Sequence, residues 1–266
     1  MISIIIPTYN MAHFLQEALH SIIANSFRDI EIIIVDDGST DDTTEVIATF
    51  KKQTSVDLSY LYTDHQGKAC CLNEVFRRRA VHGNYIMFMD ADDLLPEDSL
   101  EHRYHRIRAF GAEMAIGSYT ITDISGRVLE SRVLDQASYR DNLIRQFFFS
   151  HKIPFNLNAA IIAKKLFYRV GPFDEKLWRG QEVDYAIRLL QHTKKLEITP
   201  PVVYYYRKYP RSLGCLTKLR FQTARGRMQT IHKHLKGLDR VRAIIFHSFL
   251  DCLKFVVEIC WSCWHS

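Results

Sequence analysis

The stretch IEIIIVDDGSTDDTTE, residues 30–45, decides the fold. Ile30 to Val35, apolar but for Glu31, is of the kind that forms a strand buried on both faces. It stops at Asp36-Asp37-Gly38-Ser39, where Gly38 lets the chain turn sharply. Thr40 or Asp41 then caps a helix, with Asp42 and Glu45 in its first turns. The same alternation repeats on either side. Upstream, Ile2 to Pro7 reads as a buried strand, and Phe14, Leu15, Ala18, Leu19, Ile22 and Ile23 recur at helical spacing. Downstream, Leu58 to Thr63 reads as a strand and Lys68 to Val81 as a helix. Gly83-Asn84 marks a turn into a fourth strand, Tyr85 to Met89.

Strands joined by helical crossovers predict an α/β fold, a mostly parallel sheet flanked by helices. Ligands collect beyond the carboxyl ends of such strands. Three polar clusters fall there: Thr8-Tyr9-Asn10, Asp36-Asp37, and Asp90-Ala91-Asp92-Asp93. Their convergence on one edge describes a site.

The second half is less regular. Ala115 to Thr122 and Val128 to Leu134 read as strands around a Ser125-Gly126 turn, Val183 to Leu190 as a helix, and Val202 to Arg207 as a tyrosine-rich strand. Tyr204-Tyr205-Tyr206 suits strand packing or stacking on a sugar. After about Leu216 the pattern is helical. From Ala243 to Trp264 a narrow polar stripe (His247, Asp251, Lys254, Glu258, Ser262) runs along an otherwise apolar surface. Charges interrupt this run too often for a membrane span. Docking on the domain, on a second subunit, or at a membrane interface are the choices.

Composition sets outer limits. With 266 residues, 47% of them hydrophobic and 24% charged, the chain is long enough for one elaborated α/β domain and is not a disordered one. The net charge of +5 is too mild for a nucleic-acid binder. His102, Arg103, His105, Arg106 and Arg108 form a basic helix without aromatic interleaving, which reads as a solvated face. From Pro201 onward, twelve Lys/Arg stand against three Asp/Glu, so the basic excess is concentrated in the last quarter. The six cysteines form no framework of secreted type and no leader is evident, which makes a reducing cytosol the default. Cys260, Cys263 and His265 have a spacing zinc uses but lack a second half-site.

The strongest chemical signal is YIMFMDADD, residues 85–93, a buried strand that delivers Asp90, Asp92 and Asp93 to the ligand edge. Carboxylates this close repel one another unless a cation sits among them, and hard oxygen ligands suit Mn²⁺ or Mg²⁺. Local capping of the following helix is the competing explanation.

Taken together, SIIIPTYN, EIIIVDDGSTDDT, HQGKACCLN and GNYIMFMDADD, in this order and spacing, resemble the inverting family 2 glycosyltransferases with a GT-A-type fold. VGPFDEKLWRGQEVDYAIRLL and YYYRKYPRSL extend the resemblance to about residue 213. It implies a domain over 1–213, with a nucleotide-binding part (1–110) and an acceptor-binding part (111–213), and an amphipathic helical tail over 214–266. It implies transfer from a nucleotide-diphosphate sugar, a UDP-sugar first among them, to a glycan or lipid-linked acceptor, in a cytoplasmic protein peripheral to the inner face of the membrane. Pro7, Thr8 and Tyr9 would line the nucleoside pocket, Asp36 or Asp37 would hold base or ribose, and Lys68 and Ala91 would lie near the nucleotide. Asp90 would approach ribose or metal, and Asp92 would be the main metal ligand. Arg207, Lys208 and Arg211 would close over the phosphates.

The base in such enzymes comes from a Glu-Asp pair before a VDLALRL-type helix. Here Gln181-Glu182 stands in that place, so Glu182 takes the role with one extra methylene and Asp184 is the alternative. This departure keeps a second expectation open, a non-catalytic sugar-nucleotide-binding protein of the same fold.

Overall fold

The computed structural model describes residues 1–135, 143–150, 154–177, 179–210 and 213–248, with the backbone alone for 213–221. Its sheet begins with four parallel strands, β1 (Ile2–Thr8), β2 (Ile30–Asp36), β3 (Asp57–Tyr62) and β4 (Tyr85–Phe88), in the spatial order β3-β2-β1-β4. They are joined by α1 (Ala12–Ile23), α2 (Thr43–Gln53) and α3 (Lys68–Arg77). The apolar runs of β1 and β2, interrupted only by Ser3 and Glu31 before their polar ends, have a direct cause. Even-numbered Ile4, Ile6, Ile32 and Ile34 pack on the α1 side with Leu15, Leu19 and Ile22, while odd-numbered Ile5, Ile33 and Val35 pack on the α3 side with Ala69, Leu72 and Val75. Both faces of the pleat are covered, so no polar alternation survives.

Beyond β4 come α4 (Ser99–Phe110), β5 (Met114–Asp123), β6 (Val128–Arg132), α5 (Leu143–Phe149), β7 (Ala160–Ala163), α6 (Lys164–Val170), α7 (Gln181–His192), β8 (Leu196–Lys208) and α8 (Leu213–His234). A further helix runs over 237–248. β7 is antiparallel to both β4 and β5, which returns β5 to the direction of the first four strands. β8 lines the whole of β5 in parallel, so β7 and β6 share its other edge, one at each end. Six strands therefore run one way and two the other.

Several expected elements shift. α3 stops at Arg77 rather than Val81, and Arg79 at φ 50° confirms that the chain has left the helix. The tyrosine-rich strand is longer than Val202 to Arg207. It starts at Leu196 and crosses Pro200-Pro201 through a register shift against Gly117 and Ser118, since proline has no N–H for the ladder. The basic helix α4 is not solvated throughout. Arg103 is fully buried, its guanidinium donating to the Ser99 carbonyl at 3.1 Å and the Ser99 hydroxyl at 2.6 Å.

α8 lies on α7. Its Gly226 backs so closely onto the Arg179 carbonyl that a Cβ would sit 2.4 Å from that oxygen. Ile231 packs with Ile187 and Phe148, and Lys233 reaches Asp174 at 2.6 Å. The tail's stripe begins at His247, which is buried rather than on a solvent stripe. The rest of that stripe and the Cys260–His265 spacing lie outside the described residues. Among the described residues, no helix is long and apolar enough to cross a membrane.

Candidate active site

The strand ends bring Tyr9, Asp37 and Asp90 to one edge, as parallel β1, β2 and β4 require. A cavity of about 310 Å³ opens there, lined by Pro7, Thr8, Tyr9, Asp37, Lys68 and Asp90, with Ala91 and Asp92 closing it. Tyr9 stacks on His65 with ring centroids 4.0 Å apart and stands half open to solvent, a flat aromatic face at the mouth.

Asp36 and Asp37 have separate jobs. Asp36 is fully buried behind the cavity, accepting from the Ser39 amide at 2.9 Å and the Tyr60 hydroxyl at 2.8 Å. Its carboxylate is spent on these two partners, which leaves Asp37 as the one of the two acids that lines the cavity. Asp37 lines the cavity and accepts from the Gln66 and Gly67 amides at 2.9 and 3.0 Å, shaping the loop that leads into α3. Gly67, at φ 96°, leaves the start of α3 without a side chain in the way.

Beside this lies a second cavity of about 380 Å³, lined by Tyr119, Arg132, Asn156, Tyr206, Lys208 and Glu182 among others. Asp90 lines both cavities. The amino group of Lys68 bridges the seam, donating to Asp90 Oδ1 at 2.5 Å and to Glu182 Oε1. Despite burial, which works the other way, the charges of Asp90 and Glu182 raise the Lys68 pKa above its ordinary value.

Asp90, Asp92 and Asp93 each offer a carboxylate oxygen, all within 4.8 Å of one another. Asp93 is already committed. It is buried, accepts from the Tyr204 hydroxyl at 2.7 Å and the Arg207 amide at 2.8 Å, and is driven well above the usual carboxylate range by burial and its two acidic neighbours. Asp92 is raised by burial and by Asp90. Asp92 and the Lys68-paired Asp90, crowded at the floor of a cavity, fit a hard divalent cation that completes its shell with phosphate oxygens and water.

The expected phosphate lid is corrected. Arg207 is buried in β8, where its Nε donates to the Asp92 carbonyl and its Nη1 pairs with Glu17 on α1. It ties the acidic turn to two elements and has no freedom to close. Lys208 points to the second cavity, and Arg211 lies outside the described residues.

Asp184 is not brought to the site. Fully buried, it accepts from Arg188 Nε at 2.9 Å, Lys233 Nζ at 2.9 Å and His234 Nε2 at 2.7 Å. Burial pushes its pKa up, but these partners overcome it and bring it down to about 2. Two residues at about 100° each turn it roughly 200° from Glu182, onto the face that meets α8. Sequence reasoning missed His65, Gly67, Cys71, Tyr119, Arg132, Asn156 and Asn158 as lining residues. The first three lie within or beside HQGKACCLN, a signal that was on the page; the others sit on irregular or antiparallel segments that carry no motif.

A family model described as glycosyl transferase family 2 matches residues 3–171. Glycosyltransferase GlyA of Streptococcus pneumoniae serotype 4 is 30% identical over 138 residues, covering 52% of this chain and 19% of GlyA. The chain spans less than two thirds of the length of the curated relatives it matches; for Mycoplasma pneumoniae's uncharacterized glycosyltransferase the share is 64%. A solved structure of Staphylococcus aureus TarS 1–349 in complex with UDP-GlcNAc superposes with a TM-score of 0.64 at 18% identity, over 92% of this chain and 71% of that one. Mannosyltransferase PcManGT from Pyrobaculum calidifontis, in complex with GDP-Man and Mn²⁺, gives 0.64 at 20% identity, over 91% and 67%. At such identities the likeness shows a shared fold.

Proposed function

The chain belongs to glycosyl transferase family 2, and from that membership we propose that it transfers a sugar, with inversion, from a nucleotide-diphosphate donor to an acceptor hydroxyl. The donor is a UDP-sugar, and the acceptor is a glycan or lipid-linked sugar. TarS with UDP-GlcNAc and PcManGT with GDP-Man and Mn²⁺ support nucleotide sugars and a divalent ion as the class of ligand. One observation carries the reading: two cavities share Asp90, with the acidic turn on one side and Glu182 on the other.

In this assignment the nucleoside enters beside Pro7, Thr8 and Tyr9, with Asp37 near base or ribose and Lys68 and Ala91 near the diphosphate. Asp92 and Asp90 would hold Mn²⁺ or Mg²⁺, which would supply charge neutralisation for the departing diphosphate. The acceptor lies in the second cavity. Glu182 takes the proton of its hydroxyl, whose oxygen attacks the anomeric carbon as the bond to the diphosphate breaks on the opposite face. The diphosphate leaves with the bonding electrons, and Lys68, which lines that cavity, is the cation assigned to meet the charge that builds there.

A thermal-shift screen of UDP-, GDP- and dTDP-sugars with and without Mn²⁺ tests the donor side. A ligand at 100 times its Kd adds about 2.7 kcal/mol to the folded state, so one sugar nucleotide should raise the melting temperature by several degrees, and more with Mn²⁺. A flat response across the panel overturns the reading. Shifts without release of nucleoside diphosphate on adding candidate acceptors would favour a non-catalytic binder. We also place the protein on the cytoplasmic face of a membrane, contacting it, or a second copy, through the C-terminal helices.

A further inference from the structure

An amino group that grips both the acidic turn and the proposed base constrains how the site fills. Lys68 is the first residue of α3, and its Nζ donates to Asp90 and Glu182 at once. Asp90 and Glu182 come from different elements, the turn after β4 and the first turn of α7, 92 residues apart by position, 182 less 90. Asp93 is the least available of the three acids, being buried with each of its oxygens already accepting a hydrogen bond, from the Tyr204 hydroxyl and the Arg207 amide. The Asp92 carbonyl is taken by Arg207. Among the described residues, the acidic turn therefore offers a divalent cation chiefly the Asp92 carboxylate and an Asp90 carboxylate already in contact with an ammonium group.

We propose that Lys68 is a tethered counter-cation, standing in for the metal at Asp90 and occupying Glu182 until a nucleotide diphosphate draws it away. This deepens the function proposed above and rests on it. The cavity supplies the exchange. Lys68, Gly67 and Asp90 line the same space, so a diphosphate lodged there meets the N-terminus of α3 and offers Lys68 a new anionic partner. The lysine has a long, flexible stem and a compact charge, and it moves between such partners without disturbing the helix. Its departure leaves Asp90 open to a divalent ion, which the diphosphate itself helps to ligate. It also frees the Glu182 oxygen to accept from an acceptor hydroxyl. Nucleotide and metal thus enter as a coupled pair, and the base becomes available only after they have.

The test uses the full chain and the metal alone. Mn²⁺ binding is titrated by electron paramagnetic resonance, first without nucleotide and then with UDP or GDP. The unaltered protein is expected to bind Mn²⁺ weakly alone and about tenfold or more tighter with one of the nucleotides. Lys68→Met, and Lys68→Gln should the first fold poorly by its melting curve, is expected to gain about tenfold in nucleotide-free Mn²⁺ affinity, since a competing charge in contact with Asp90 is gone. Lys68→Arg keeps the charge and is expected to bind Mn²⁺ alone as weakly as the unaltered protein. Nucleotide-coupled binding with no gain in Lys68→Met or Lys68→Gln overturns the counter-cation while sparing the metal site. No Mn²⁺ binding in any arm, with either nucleotide, removes the metal site and this inference together.

Discussion

Glu182 is the residue on which turnover is expected to depend. It sits in the first turn of α7, lines the second cavity, and is about 41% exposed, so a substrate hydroxyl has room to reach it. Glu182→Gln keeps the size and removes the ability to take a proton. Turnover should fall by about 10²–10⁴-fold, the usual worth of a positioned base, with the donor-induced rise in melting temperature retained. Turnover within threefold of the unaltered protein would take the base role from this residue. Its neighbour in sequence shows how far pattern reading reaches at this scale. Glu182 and Asp184 are equally plausible on paper, since both are acids near a helix start. Only the packing of α8, a contact some fifty residues away, reveals that Asp184 faces Arg188, Lys233 and His234. Asp36 and Asp37 divide in the same way, because which of two adjacent carboxylates meets Tyr60 on β3 and which lines the cavity is set by packing.

Helix α7 is held in place by α8, and this joint has a pH signature. Around Asp184 stand Arg188 on its own helix and Lys233 and His234 on α8, with the Asp174 carboxylate sharing Lys233. Its folded pKa of about 2 lies below the ordinary 3.8. The group is therefore ionised more readily when folded, and its contribution, ~2 kcal/mol, is fully present above about pH 4 and is lost as pH falls toward 2. The melting temperatures of the unaltered protein and of Asp184→Asn should differ most at neutral pH and converge between pH 4 and 2; a constant gap would show that the carboxylate's charge is not what holds the joint. A second substitution reaches the same place through shape. Gly226→Ala puts a methyl against the Arg179 carbonyl, directly before the Gly180 that opens α7 at φ 82°. Overpacking of this kind costs roughly 1–3 kcal/mol, and because the strain falls on the turn that sets Glu182, kcat should drop more than donor affinity. Equal loss in both, or in neither, would separate α8 from the base. None of this was legible in the sequence. The strands and helices of the first hundred residues were, because buried parallel strands write themselves as apolar runs. β7 is only four residues long, and the two prolines of β8 left only its Val202 to Arg207 half legible.

At the scale of the whole molecule, the acidic edge and the C-terminal helices ask for different partners. The described helix over 237–248 buries Ala243 and His247 against the domain and turns Leu238, Val241 and Ile245 outward, at 73%, 51% and 63% exposed. These three recur at spacings of three and four, so they form one apolar stripe, and Arg242 borders it. Apolar side chains beside arginine suit the interface of an anionic bilayer, where burial of the stripe adds to attraction by the surface charge. Removing everything after Leu216 would be a poor test, since it would strip α8 from α7 and with it the joint just described. Replacing Leu238, Val241 and Ile245 together with Glu leaves that joint untouched. If the stripe meets lipid, the unaltered protein should sediment with vesicles containing phosphatidylglycerol or phosphatidylserine, less so with neutral ones, and the triple variant should remain in the supernatant. Raising the salt from 0.05 to 0.5 M should weaken the association by shortening the reach of the charges. A stripe that instead meets a second copy of the chain predicts another outcome: no sedimentation in either protein, and a mass in solution that halves in the triple variant.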